Sequence, residues 1–178
     1  QPEAAANIKI VLIEAGPRLL PSFSPALSAR TKKDLEKLGV QVLLNTAVEE
    51  VLNASIKIKG APEIPAQVTV WAAGVRGEPA AASLNLPLVS TRIDVEQTLQ
   101  VKNYPHIWAI GDISGYKDAS GKFLPMVAPV AMQQGRFVAK QILNLAQNKA
   151  LNSFKYRDKG SMATIGRHKA AVQFKGIQ

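Results

Sequence analysis

Cysteine is wholly absent from this 178-residue sequence. That excludes a disulfide frame, a thiolate nucleophile, Cys-ligated zinc or iron–sulfur clusters and a dithiol redox centre. Any redox work must then fall to a bound organic cofactor. Aromatic residues are scarce, at 6%, and are not interleaved with the bases as the stacking platforms of a nucleic-acid binder require. No uninterrupted apolar run approaches the ~18 residues of a spanning helix. The sequence begins at Gln1 and opens with no basic-then-apolar signal pattern. The expectation is a soluble or peripheral chain, and the missing initiator methionine with the abrupt ends suggests a fragment or processed piece.

Acids are also in short supply, with 13 Asp and Glu against 22 Lys and Arg, a formal net charge of +9. The excess is uneven. From Lys149 onward the bases Lys149, Lys155, Arg157, Lys159, Arg167, Lys169 and Lys175 meet one acid, Asp158. Such a section suits an anionic partner, whether nucleic acid, a phosphate-bearing ligand or acidic lipid head groups. A solvated face that only keeps the chain soluble is an equally open reading. With 47% apolar and 20% charged residues, the remainder is ordinary for one globular domain or two small ones.

Ile8 to Ile13 is an apolar, β-branched run broken by Lys9, and it ends at Glu14 before Ala15, Gly16 and Pro17. It reads as a buried strand with an acid at its C-terminal tip. Ser24 followed by Pro25 supplies an N-cap with proline in the first turn, and Gly39 stands where a C-terminal glycine belongs. A helix from about Pro25 to Leu38 is expected, with Leu27, Leu35 and Leu38 on one face. Val40 to Leu44 is then a second strand, completing a βαβ unit. Val48 to Leu52 and Ser55 to Ile58 form a hairpin, and Val68 to Trp71 a further short strand. Arg76 to Val89 reads as a crossing segment. Ile107 to Ile110 is a buried strand stopping at Gly111 and Asp112. Pro129 opens a helix to about Ala146, with Val127, Ala131, Gln134, Val138, Ile142 and Leu145 along one side. Short strands are expected at Phe154 to Tyr156, Ser161 to Ile165 and Ala170 to Phe174.

Chemistry can be attached to three places. A carboxylate at a strand tip, as at Glu14, has two oxygens that match the two ribose hydroxyls of a dinucleotide and would repel a 2′-phosphate, which favours NADH over NADPH. The glycine-rich turn expected some twenty residues earlier is absent. In "IWAIGDIS", Ile107 to Ser114, Gly111 permits a close backbone approach and Asp112 can accept hydrogen bonds from a polyol chain. In "PMVAPVAMQQG", Pro125 to Gly135, a proline in the first helical position leaves the amides of Val130 and Ala131 pointing off the helix end. Such an end stabilises negative charge on a flat ring such as a reduced flavin. Gln133 and Gln134 sit one turn further in, as neutral donors suited to a carbonyl ligand.

The order of "VLIEAGPRLLPSF", "TVWAAGV", "YPHIWAIGDIS", "APVAMQQGRFVAKQI" and "YRDKGSMATIGRHKAAV" resembles the C-terminal half of type II NADH dehydrogenases, single-subunit flavoproteins that pass electrons from NADH to a quinone. The resemblance covers nearly the whole chain. It implies an incomplete FAD/NAD(P)-binding fold of two dinucleotide domains, an α/β architecture with a parallel sheet, helices and a small antiparallel meander. Residues 1–75 would be the later part of the NADH domain, 76–148 the returning part of the FAD domain, and 149–178 the start of the C-terminal region. It also implies that Glu14 binds the NADH ribose, that Trp71 to Val75, with Ala73 and Gly74, lines the nicotinamide nucleotide site, and that Asp112 holds the ribityl chain of FAD. Gln133 matches the later glutamine of the family's AQxAxQ quinone motif, with Gln134 beside it, whereas Pro129 stands where that motif has its first glutamine. Both glycine-rich loops of the family are missing, as are its membrane-attaching amphipathic helices.

The leading reading is therefore part of an FAD-dependent NADH:quinone oxidoreductase, peripheral at the cytoplasmic face of a membrane, with no turnover expected from this piece alone. Alternatives are an NADPH-preferring relative, a basic nucleic-acid-binding module and a non-catalytic interaction domain. Thiol-dependent relatives are set aside by the lack of cysteine. Homo-oligomerisation is left open.

Overall fold

A computed structural model describes residues 8–75, 77 and 79–174. The chain forms two compact units, Gln1–Trp71 with Asp158–Gln178, and Ala72–Arg157. Residues 149–157 thus pack with the second unit and residues 158–174 with the first. In the expected crossing segment, Arg76 and Glu78 lie outside the described residues, as does Lys175 of the basic section.

In the first unit, β1 (Ile10–Ile13) and β2 (Val40–Leu43) pair in parallel, with Ile10 opposite Val40 and Ile13 opposite Leu43. The helix α1 (Pro25–Lys37) connects them. Its start is set chemically: the Ser24 hydroxyl accepts from the Leu27 amide at 3.3 Å, and Pro25 needs no acceptor in the first turn. Gly39 just beyond the last turn has φ +84°, a left-handed conformation natural to glycine. The buried face of α1 is not the expected leucine stripe. Ser28, Thr31 and Asp34 are buried, Leu27 and Leu35 flank them, and Leu38 is 60% exposed.

Ser28 and Asp34 find partners on that face, whereas Thr31 Oγ1 has none among the described residues. Arg18 Nη1 donates to Ser28 Oγ at 3.0 Å, and Ser28 Oγ donates in turn to the Leu20 carbonyl. Asp34 accepts from Lys169 Nζ at 2.6 Å, with Arg30 3.8 Å away. Lys169 stands on β11 (Lys169–Gln173), which pairs antiparallel with β10 (Ser161–Ile165). Ala163, Ile165 and Ala171 of this hairpin join Phe23, Leu20, Leu27 and Leu35 in the core of the unit.

The hydrogen bond from Lys169 holds the Asp34 carboxyl below its ordinary value of 3.8. A depressed carboxylate stabilises the fold above its unfolded value and ceases to do so as pH falls through the folded one. Asp34→Asn is therefore expected to lower the urea midpoint at pH 7 and to match wild type at pH 2. An equal deficit at both pH values would mean that the ion pair is not the cause.

The expected hairpin is present as β3 (Val48–Val51) and β4 (Ser55–Ile58), to which β5 (Ile64–Pro65) adds a third antiparallel strand. Val68 to Trp71, expected as a strand, has no strand partner among the described residues. Val70 is 84% and Trp71 64% exposed. A β-rich composition marks a segment suited to a ladder, but a strand exists only when a neighbour supplies the other half of its hydrogen bonds.

The second unit is built from short pieces. A 3-10 turn at Pro79–Leu84 is followed by the hairpins β6 (Leu88–Val89) with β7 (Arg92–Ile93), and β8 (Gln100–Val101) with β9 (Tyr104–Trp108). The strand expected at Ile107 to Ile110 thus lies a few residues upstream. The helix α2 (Ala128–Ala146) packs over them. Its buried residues are Val130, Gln134, Val138 and Gln141, so the inward face is rotated from the expected one, and Ile142 and Leu145 face outward. The core gathers Ile93, Val95, Leu99, Val101, Ala109, Tyr116 and Leu124 from the hairpins and loops, with Val130 and Val138 from α2 and Phe154 from beyond it. Gly115 is required beside this core, since a Cβ there would lie 2.5 Å from Val89 Cγ1 and 2.8 Å from the Ile93 carbonyl oxygen.

Phe154 to Tyr156 is not a strand. Phe154 is held through its backbone, its amide donating to the Gln97 carbonyl at 2.8 Å and its carbonyl accepting from the Tyr116 hydroxyl at 2.6 Å, and just upstream Gln141 Oε1 accepts from the Asn152 amide at 2.7 Å. Burial around Tyr116 pushes its phenol above the usual value.

Candidate functional site

The second unit contains an open groove of about 620 Å³, lined by Val75, Ile110, Asp112, Ile113, Met126, Val127, Ala128 and Ala131. Apart from Asp112 the lining is apolar, which suits a flat aromatic ring with a polar tether. The groove owes its shape to the turn after β9. Gly111 takes φ +71° and opens a 3-10 turn, Gly111–Ile113, closed by the Ser114 amide on the Gly111 carbonyl at 3.0 Å. Asp112 is thereby brought to the rim with its side chain exposed. Its carboxylate has no hydrogen-bond partner among the described residues.

The N-terminus of α2 also borders the groove, capped by Val127 without any side-chain acceptor. The amides of Val130 and Ala131 do not point free. Both turn back on the Val127 carbonyl, at 3.0 and 3.4 Å. The helix begins one residue earlier than expected, with Pro129 in its second position, so the first intrahelical bonds consume these two donors. The amide left without an acceptor among the described residues is that of Ala128, which lines the groove.

The two glutamines serve the backbone. Gln134 is 1% exposed, and its Oε1 accepts from the Gly111 amide at 2.6 Å. Gln133 donates through Nε2 to the Arg157 carbonyl and accepts at Oε1 from the Arg157 amide, both at 3.0 Å. Each carbonyl oxygen is thus taken by a backbone amide, and one Nε2 hydrogen of Gln133 by a backbone carbonyl. Consecutive polar residues on a helix look like surface until the paths of the neighbouring chain are known.

Ala73 and Gly74 are exposed. Gly74, with φ +95°, donates to the Ala72 carbonyl at 3.1 Å in a tight turn that leads into Val75 on the groove wall. Val75, the last residue of the segment expected at the nicotinamide nucleotide site, thus lines this groove, as does Met126, whose apolar character carries no signal of such a role.

The first unit holds Glu14. Its amide donates to the Leu43 carbonyl at 2.9 Å and its carbonyl accepts from Thr46, which anchors the strand tip on the β2 side. The carboxylate is half-buried and oriented by one bond, from the Gly16 amide to Oε1 at 2.7 Å. Oε2 has no hydrogen-bond partner among the described residues. Nearby, the Arg18 guanidinium donates to the Phe23 and Pro21 carbonyls at 2.6 Å and to Ser28 Oγ at 3.0 Å. This clamp fixes the loop after Glu14 and was not anticipated.

Among the described residues no group of three or more His, Asp or Glu could hold a metal ion, and no helix is long and apolar enough to cross a membrane.

A parallel βαβ unit with an acid at its tip, and a Gly-Asp turn facing a helix N-terminus, are parts of an FAD/NAD(P)-binding Rossmann-type fold. The family model of pyridine nucleotide-disulphide oxidoreductases matches residues 3–135, and the chain belongs to that family. Within it the chain is a relative of the type II NADH:quinone oxidoreductases. It is 38% identical over 161 residues to the Haemophilus influenzae enzyme of that name, covering 89% of this chain and 36% of that protein. It is 34% identical over 180 residues to the mitochondrial internal alternative NAD(P)H-ubiquinone oxidoreductase A1 of Solanum tuberosum, covering 94% of this chain and 36% of that protein. The chain thus spans little more than a third of these relatives. In fold it is similar to NDH2 of Plasmodium falciparum in complex with NADH, with a TM-score of 0.82 at 20% identity, over 96% of this chain and 50% of that one.

Proposed function

We propose that these residues belong to an FAD-dependent oxidoreductase that takes electrons from NADH and delivers them to a membrane quinone. The observation that carries this reading is that Asp112 and the N-terminus of α2 line one apolar groove, the Asp112 carboxylate and the Ala128 amide both without a partner among the described residues. The donor set fits FAD: Asp112 accepts from the hydroxyls of the ribityl chain, the apolar walls take the ring, and the α2 N-terminus meets its electron-rich edge. Bound there, FAD supplies the hydride-accepting and quinone-reducing chemistry. The chain's own residues bind and orient. Glu14 holds the NADH ribose, Ala73 and Gly74 border the nicotinamide nucleotide, and the groove walls exclude water.

In this reading residues 1–75 are the later part of an NADH domain, 76–148 the returning part of an FAD domain, and 149–178 the start of a C-terminal region. The names of the relatives support quinone as electron acceptor. The basic section from Lys149 suits acidic head groups at the cytoplasmic face of a membrane. The 178 residues alone, without the glycine-rich amides that hold a pyrophosphate, are expected neither to bind FAD tightly nor to turn over.

The test is stopped-flow separation of the two half-reactions in the intact protein, with all the residues its gene encodes. NADH should bleach the flavin band, and a quinone should restore it. Gln133 enters as the clamp on Arg157. Gln133→Met is expected to leave flavin reduction by NADH nearly unchanged, to slow reoxidation by quinone severalfold, and to cost about 1 kcal/mol of stability through two lost hydrogen bonds. Slowing of flavin reduction alone would place Gln133 on the NADH side and refute this assignment.

A further inference from the structure

Gln134 is unusual among the polar residues of the second unit. It is among the most buried side chains of the chain, yet its carbonyl oxygen is spent on one amide, that of Gly111. That amide belongs to the residue before Asp112, at the one point where the chain adopts φ +71° to enter the 3-10 turn. The turn also lies close against α2: a Cβ on Gly111 would meet Ala131 Cβ at 3.4 Å, and one on Gly135 would meet Ile110 Cδ1 at 3.8 Å. Small residues thus let the turn approach the helix, and the Gln134 amide sets its rotation. The peptide between Ile110 and Gly111 cannot turn without breaking a part-buried hydrogen bond, whose donor would then lose this partner.

We propose that Gln134 is a positioning residue for the cofactor-binding carboxylate: by pinning the Gly111 amide to α2, it presents Asp112 at the groove rim to a polyol hydroxyl chain. This rests on the reading of the groove as an FAD site. Gln134 touches no ligand and acts through Asp112. Its worth to binding should therefore exist only while the Asp112 carboxylate is present.

The experiment is a double-mutant cycle in the intact protein, with Gln134→Met, which keeps length and volume without the acceptor, and Asp112→Ala, each alone and together. FAD dissociation constants and amide hydrogen exchange are read for each. Gln134→Met is expected to accelerate exchange at Gly111 and to weaken FAD binding about tenfold. The double variant should bind FAD no more weakly than Asp112→Ala alone. Gln134→Glu, which restores an acceptor, should recover Gly111 protection and most of the affinity. Additive losses would show that Gln134 merely supports the fold and would overturn the inference, as would unchanged Gly111 exchange in Gln134→Met. If instead Asp112→Ala leaves FAD affinity intact, or the intact wild-type protein binds no FAD, the reading of the groove fails and the inference with it. Faster Gly111 exchange in Gln134→Met would still stand then as a fact about the turn.

Discussion

Asp112→Ala is expected to strip the intact protein of its flavin during purification. The carboxylate stands at the rim of the groove, exposed and without a protein partner among the described residues, so its oxygens are free to accept from ligand hydroxyls. A hydrogen bond to a charged acceptor contributes about 1.5 to 3 kcal/mol. Two such bonds to a polyol chain amount to about 3 kcal/mol or more, a loss of roughly a hundredfold or greater in affinity. Because the side chain makes no internal bond, the variant should unfold at the same urea concentration as wild type. Flavin loss at unchanged stability separates a binding role from a structural one. A full complement of flavin in Asp112→Ala would show that the residue only turns the chain.

The parts of the fold legible in the sequence are those whose signals are local. Ser24, Pro25 and Gly39 bracket α1 because a helix end has unsatisfied amides and carbonyls that only a few residue types can serve. The parallel pairing of β1 with β2 follows from the helix that connects them, which returns the chain to the same end of the sheet. The Gly111–Asp112 turn could be placed because a strand run ending in glycine must change direction there. What failed depends on neighbours distant in sequence. Val68 to Trp71 has the composition of a strand, but no residue within it states whether a partner strand lies alongside. On α2 the expected face holds at Gln134 and Val138, but Gln141 replaces Ile142 and Leu145 on the inward side, because the group Gln141 satisfies, the Asn152 amide, lies 11 residues away and leaves no local signal. The role of Arg18 was hidden for the same reason, its acceptors being backbone carbonyls that carry no sequence signature.

Glu14→Gln is the second change with a large expected effect, and the structure sharpens its sign. The Gly16 amide holds Oε1 at 2.7 Å, so a glutamine will place its own oxygen there and turn its NH₂ group toward the ligand. The position that accepted a ribose hydroxyl then presents a donor, and the charge is gone. NADH should bind more weakly by roughly 1.5 to 3 kcal/mol, about ten- to a hundredfold or slightly more. NADPH gains from loss of the repulsion between carboxylate and 2′-phosphate, which narrows the preference. It should not gain enough to invert it, because a 2′-phosphate calls for a guanidinium and that of Arg18 is held by the Phe23 and Pro21 carbonyls and Ser28 Oγ. Steady-state Michaelis constants for both nucleotides read the result. A rise for NADH with a small fall for NADPH is expected. Unchanged constants for both would remove Glu14 from the nucleotide site, and inversion to NADPH would show that Arg18 leaves its clamp when the carboxylate is gone.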